Sequence, residues 1–317
     1  MKTKLLLLLA ITLATLSLFA HAQAPIPVTG GSPTLVKSGF NLINAIASDG
    51  TYIYVGTNDG DLFRMSKDGT GILKIAAVGG FIENIIAFNN GNIYFGANSC
   101  RFGCGSVYVM RQDLSTGPTP VLSGIQNFMG LIGSTIYYWD ADAGIKSIPI
   151  AGGAPTILLD NFFLQQFALD GSSIFLNAYA GDTLVRLDIP TKSISQVMPQ
   201  AYAPATVFVD QNNVYTGNPT LVQAPKGGGA NIPLLTSGTQ ANGEVPFLSD
   251  GQFVYYEDGP HGAGLTDTLK AIPVGGGTPI TLTTTLISAR IMINVNGTLI
   301  GVREQMRLGR GLSIGLI

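Results

Sequence analysis

An all-β ring of seven four-stranded blades is the architecture the 317-residue sequence predicts, and three observations carry that expectation. A tight-turn signal followed by an aromatic or β-branched run recurs seven times at a spacing near forty residues. A second phrase, Gly-Gly-x-Pro followed by an aliphatic stretch, recurs between those turns. The two ends of the chain are each short of strands, and their deficits match. A repeat of this length marks supersecondary units that bury their apolar faces only by stacking on one another.

The turn copies are Asp49-Gly50 before Tyr52 to Val55, Asn90-Gly91 before Ile93 to Phe95, and Gly133-Ser134 before Ile136 to Tyr138. Asp170-Gly171 then precedes Ile174 to Leu176, and Asn212-Asn213 precedes Val214-Tyr215. Asp250-Gly251 precedes Phe253 to Tyr256, and Asn296-Gly297 precedes Leu299-Ile300. Asn-Gly and Asp-Gly supply the positive φ of a two-residue hairpin turn, so each copy joins two paired strands. In the second repeat the four strands are expected at Asn84 to Phe88, Asn92 to Gly96, Ser106 to Arg111 and Pro120 to Ser123. The Gly-Gly phrase stands before the fourth strand, as in Gly152-Gly153-Ala154-Pro155 and Gly276-Gly277-Thr278-Pro279, with a looser copy at Lys226 to Gly229. Proline there suits an outer edge strand with one side unpaired.

One further copy, Gly30-Gly31-Ser32-Pro33, precedes the first hairpin, and the chain ends at Ile317 in the third strand of its last unit. The strand after Pro33 is expected to close that last blade, leaving six blades complete in sequence and one shared between the ends, with no free sheet edge in the ring.

Lys2 and Lys4, the apolar run Leu5 to Ala20 and the small-x-small site Ala20-His21-Ala22 read as a cleaved export signal, residues 1–22, with cleavage after Ala24 as the second choice. Residues 25–317 are then one domain, periplasmic or secreted, with no membrane span and expected as a monomer. Without the signal, 15 Lys+Arg stand against 19 Asp+Glu, and only 11% of the full chain is charged, so nucleic acid is excluded as a partner.

The Asp-Gly hairpins with following aromatics and the Gly-Gly-x-Pro-x-x-Leu outer strands resemble bacterial exported β-propeller repeat proteins of the TolB-like and YncE-like kind. The resemblance covers nearly all of the mature chain. It implies a seven-bladed β-propeller and leaves function open, because such rings host binding scaffolds and enzymes alike.

Residues six or seven places before each hairpin glycine are expected to ring one mouth of the central channel. They are Asn44, Glu83 and Asn84, Asn127, Gln165 and Gln166, Thr206, Glu244 and Arg290. Polar groups converging on a concavity are the default binding site, and solvation of a narrow wet channel is the bland alternative. Cys100 and Cys104, the only cysteines, are expected to form a disulfide that shapes a loop on the same face. His261, the only histidine after the signal, sits in a glycine-rich loop and is the one side chain suited to proton transfer near neutrality. His261, Glu244 and Glu83 are the catalytic candidates. Asp140 and Asp142, with Glu83 and Glu244, are the carboxylates available to a cation such as Ca2+, although no compact calcium-loop spacing supports one and no cofactor is called for. The favoured reading is a non-enzymatic scaffold binding a protein, peptide or glycan at the channel mouth. The alternative is a metal-assisted, lactonase-like hydrolase or lyase at the same mouth.

Overall fold

A computed structural model describes residues 34–99, 104–140, 144–162, 164–178, 183–198, 206–217, 221–235, 248–258, 267–286, 289–303 and 312–316. After β1 (Thr34–Phe40) the first blade is β2 (Ile43–Ser48), β3 (Tyr52–Thr57), β4 (Asp61–Ser66) and β5 (Leu73–Ala77). The second is β6 (Phe81–Asn89), β7 (Asn92–Asn98), β8 (Gly105–Arg111) and β9 (Thr119–Ile125). The third is β10 (Asn127–Ile132), β11 (Thr135–Asp140), β12 (Gly144–Pro149) and β13 (Thr156–Leu159). The fourth is β14 (Leu164–Asp170), β15 (Ser173–Ala178), β16 (Leu184–Asp188) and β17 (Ile194–Met198). The fifth is β18 (Thr206–Val209), β19 (Asn213–Gly217), β20 (Val222–Pro225) and β21 (Ile232–Pro233). The sixth is β22 (Leu248–Ser249), β23 (Phe253–Asp258), β24 (Asp267–Pro273) and β25 (Ile280–Leu286). The chain continues as β26 (Ala289–Val295), β27 (Thr298–Arg303) and β28 (Leu312–Leu316).

In each of these blades the four strands lie in sequence order, each antiparallel to the next. Counted as blades of continuous chain the number is six, which corrects the expectation of seven. Among the described residues beyond Leu286 there are three strands. Their sheet is a composite of order β1-β28-β27-β26, in which Thr34 lies opposite Leu316 and Ser38 opposite Ser313. The innermost strands form a closed circuit: β2 touches β6, and contacts pass through β10, β14, β18, β22 and β26 back to β2.

The apolar cores sit between sheets, and strand alternation assigns residues to them. On β7, Ile93 and Phe95 pack against Ala45, Tyr54 and Leu62 of the first blade, while Tyr94 between them packs against Phe128, Ile136 and Tyr138 of the third. On β11, Ile136 and Tyr138 turn to the second blade, and Tyr137 and Trp139 turn to Ile174 and Leu176 of the fourth. Successive side chains of a strand point to opposite faces, and both faces here are covered, so the second strands carry consecutive apolar residues, as at Ile93 to Phe95 and Ile136 to Trp139. The last interface joins Val295 and Ile300 to Ile43, Ile53, Val55 and Met65 of the first blade.

The hairpins divide into two kinds. Asn90 and Gly91 have φ of 48° and 72°, and Asn296 and Gly297 have 53° and 82°, which is the paired left-handed geometry expected of a two-residue turn. At the Asp-Gly turns at 49 and 250 only the glycine is left-handed. There the aspartate acts as an acceptor: Asp49 Oδ1 takes the backbone N–H of Thr51 and Tyr52, both at 2.8 Å. Its Oδ2 takes the hydroxyl of Tyr54 at 2.7 Å. Asp250 holds Tyr255 in the same way at 2.8 Å, and Asp210, in a turn without glycine, holds Tyr215 at 2.6 Å. This Asp-to-Tyr link, five residues apart, ties turn to second strand and explains why tyrosine recurs at that place.

Polar links also join neighbouring sheets. Arg64 donates to the carbonyl of Gln112 at 2.9 Å, Lys226 pairs with Asp170 at 2.7 Å, and Asn89 donates to the carbonyl of Gly133 at 3.0 Å.

Candidate functional site

The innermost strands enter the ring irregularly. On β2 the register moves from Ile43 opposite Thr57 to Ala45 opposite Gly56, which leaves Asn44 unpaired. On β6 it moves from Ile82 opposite Ala97 to Ile86 opposite Phe95, so residues 83–85 face the single residue Gly96. Gln165 on β14 and Arg290 on β26 are extra residues of the same sort. The polar ring read from the sequence is therefore, at four places, a ring of β-bulges. A bulge re-aims a side chain out of the ladder, and such features concentrate beside functional sites.

The inner strands β2, β6, β10 and β14 all contribute to one cleft of about 290 Å³, lined by Asn44 and Asn58, by Phe81, Ile82, Glu83 and Ile85, by Asn127 and Phe128, and by Phe167. The first four blades each supply part of the wall. Asn44, Glu83 and Asn127 were legible as candidates, and the structure brings all three together. Gln166 and Thr206 lie at the starts of β14 and β18 and do not line this cleft. Asn84, Gln165 and Arg290 lie on inner strands, with side chains outside what the structure describes. Glu244, His261, Asp142 and Cys100 lie outside the described residues.

Glu83 is 8% exposed and spans the seam between second and third blades. Its Oε2 accepts the backbone N–H of Phe128 at 2.8 Å, and its Oε1 accepts Nδ2 of Asn98 at 3.1 Å. Asn98, 2% exposed, also donates to the carbonyl of Gln126 at 2.8 Å, while its Oδ1 has no hydrogen-bond partner among the described residues. Gly96 makes the space: a Cβ there would stand 2.3 Å from Glu83 Oε2 and 2.8 Å from Phe128 Cβ. Burial pushes the Glu83 carboxyl from the usual 4.5 up to about 7, against the two hydrogen bonds that favour its charge.

The remaining polar wall is carboxamide. Asn44 Nδ2 stands 3.5 Å from Asn58 Oδ1, at the limit of a hydrogen bond. Asn58, Phe81, Ile85, Phe128 and Phe167 were missed by the sequence reading. Asn58 follows a second strand and the phenylalanines read as ordinary core positions, so only their meeting in space marks them.

Of the carboxylates weighed for a cation, the two that the structure describes, Glu83 and Asp140, are engaged elsewhere. Asp140 pairs with Lys146 at 2.8 Å, and among the described residues no group of three or more His, Cys, Asp and Glu side chains is placed to hold a metal ion. No described helix is long and apolar enough to cross a membrane.

A ring of four-stranded antiparallel sheets, entered by its innermost strands and packed face to face, is a β-propeller. Solved structures share the fold: the computationally designed Ika8 protein superposes with a TM-score of 0.59 at 14% identity, covering 90% of this chain and 100% of its own. A structure of a nidogen/laminin complex matches with a TM-score of 0.47 at 16% identity, over 57% of this chain and 74% of that one. In total 1108 solved chains match, so the fold does not narrow the function. No family model matches the sequence, and no curated protein matches it. The narrower likeness to the TolB-like and YncE-like group gains no support from these comparisons.

Proposed function

We propose that this propeller is an exported, non-enzymatic scaffold that binds a protein, peptide or glycan at the mouth formed by the inner-strand entries. The observation that carries the reading is the cleft of about 290 Å³ in which Asn44, Glu83 and Asn127, from three different blades, meet. Uncharged donors and acceptors against aromatic walls on a rigid ring are the usual makings of a recognition site. The hydrolase or lyase reading has less behind it: both oxygens of Glu83 are taken up in internal hydrogen bonds, and Asp140 is paired with Lys146.

The proposal includes removal of residues 1–22, or 1–24, on export, a single domain from residue 25, and a Cys100–Cys104 disulfide in the exported chain. Intact-mass measurement of the secreted protein, with and without reductant and alkylation, tests all of these except the domain boundary. For binding, a thermal-shift screen of short peptides and oligosaccharides is run on the wild type and on Asn127→Ala. Compounds that raise the melting temperature of the wild type and not of the variant support the mouth; equal shifts in both place the site elsewhere.

A further inference from the structure

We propose, resting on the mouth-binding reading above, that the occupant of the cleft is one ring of a neutral glycan. Three features of the wall select this class. First, the uncharged polar groups among the described lining residues are the carboxamides of Asn44, Asn58 and Asn127, each at least partly exposed. A carboxamide offers a donor and an acceptor side by side, which matches adjacent sugar hydroxyls that each do both. The Asn44–Asn58 contact, at 3.5 Å, is too long to hold either group against a better partner, and Asn127 makes no side-chain hydrogen bond among the described residues.

Second, among the described residues the lining contains no Lys, Arg or His to offset the desolvation of an anionic ligand. The carboxyl among them, Glu83, is turned inward onto Phe128 and Asn98 and opposes acidic sugars in its charged form. Third, Phe81 and Phe167 are half-buried, line the cleft and come from the second and fourth blades, so what is left uncovered of them offers an apolar surface to the C–H face of a sugar. Phe128, 1% exposed, belongs to the wall behind them.

Size points the same way. A volume of about 290 Å³ lies at the lower limit of small-molecule sites, which suits a single ring with its neighbours projecting into solvent. An extended peptide advances about 3.3–3.6 Å per residue and asks for a long groove, whereas these three carboxamides share one compact space.

The test is saturation-transfer NMR followed by calorimetric titration with chitotriose, maltotriose, cellotriose, trigalacturonate and trialanine as probes. At least one neutral trisaccharide is expected to bind the wild type. Asn44→Ala and Asn127→Ala are each expected to weaken it about tenfold, the loss of a hydrogen-bonded pair. Phe167→Leu, which keeps an apolar residue in the wall, is expected to weaken it similarly, while Val121→Thr on an outer strand leaves it unchanged. Thermal melts confirm that each variant is folded.

Binding of trialanine that is lost in Asn127→Ala, with no neutral trisaccharide bound, overturns the glycan and leaves the mouth reading standing. Trigalacturonate binding in preference to the neutral sugars overturns neutrality. Trisaccharide binding that survives all three cleft substitutions overturns both the glycan assignment and the mouth reading. No neutral trisaccharide bound at millimolar concentration overturns the inference by itself.

Discussion

Replacing Glu83 with Gln tests the physics of the cleft most directly. In the folded chain the carboxyl holds its proton to about pH 7, whereas the unfolded chain releases it near the usual 4.5. Between those values the native state binds more protons than the unfolded state, so the contribution of Glu83 to stability falls as pH rises through that window and is level above it. At about 1.4 kcal/mol per tenfold change in proton affinity, the span from 4.5 to about 7 amounts to roughly 3 kcal/mol. Glutamine has the shape of the protonated acid and no charge. Its Oε1 keeps the Phe128 N–H, while its Nε2 can meet Asn98 Oδ1 only if that amide turns over and gives up the bond from Nδ2 to the Gln126 carbonyl, at about 1 kcal/mol. Urea denaturation is expected to place Glu83→Gln about 1 kcal/mol below wild type around pH 5. The difference then shifts in favour of the variant by up to about 3 kcal/mol by pH 8, leaving it the more stable protein by about 2 kcal/mol, or by several degrees in melting temperature. Parallel pH profiles for the two proteins would refute the argument, as would a variant less stable than wild type at pH 8.

Other outcomes follow from the same contacts. Tyr215→Phe removes the hydroxyl held by Asp210 at 2.6 Å and is expected to cost about 1–2 kcal/mol in urea denaturation. The same change at Tyr54 should add to it nearly independently, whereas Tyr255 is expected to couple with Tyr215, because Ser249 beside Asp250 donates to the Asp210 oxygen that holds Tyr215. Gly96→Ala places a methyl 2.8 Å from Phe128 Cβ and 2.3 Å from Glu83 Oε2, and is expected to destabilise by about 1–3 kcal/mol; the double variant Gly96→Ala, Glu83→Ala should recover part of that loss in the same assay. Deleting residues 23–38 removes most of the strand paired with β28 and is expected to promote association, seen by light scattering at equal concentration, since an unpaired edge templates further strands.

Local chemistry made much of the fold legible. Asn90-Gly91 and Asn296-Gly297 announce their turns because few residues tolerate two left-handed positions in succession. The apolar run at Ile136 to Trp139 announces a strand covered on both faces, and the pairing of β1 with β28 answers the matching strand deficits at the two ends. The role of Asp49, Asp210 and Asp250 was not legible in that way, since a carboxylate reaching a tyrosine five residues on is a property of the folded hairpin. The polar ring was half legible. Polar residues before each inner strand showed in the spacing, yet their cause, a register slip that ejects Asn44 or Glu83 from the ladder, depends on which residues of the second strand they face.

By itself the sequence determined the all-β repeat, the hairpin turns, the alternation that feeds two interfaces from one strand, and the low charge. These are properties of residues within a few positions of one another, where backbone geometry and side-chain period act directly. The tertiary structure decided that six blades are continuous chain with a composite sheet beside them, that Asn44, Glu83 and Asn127 share one cleft, and that Asn58, Phe81 and Phe167 join them. It also decided the state of Glu83. A carboxyl in a bulge is ordinary until Gly96 opens a space for it and the seam between two blades takes away its water.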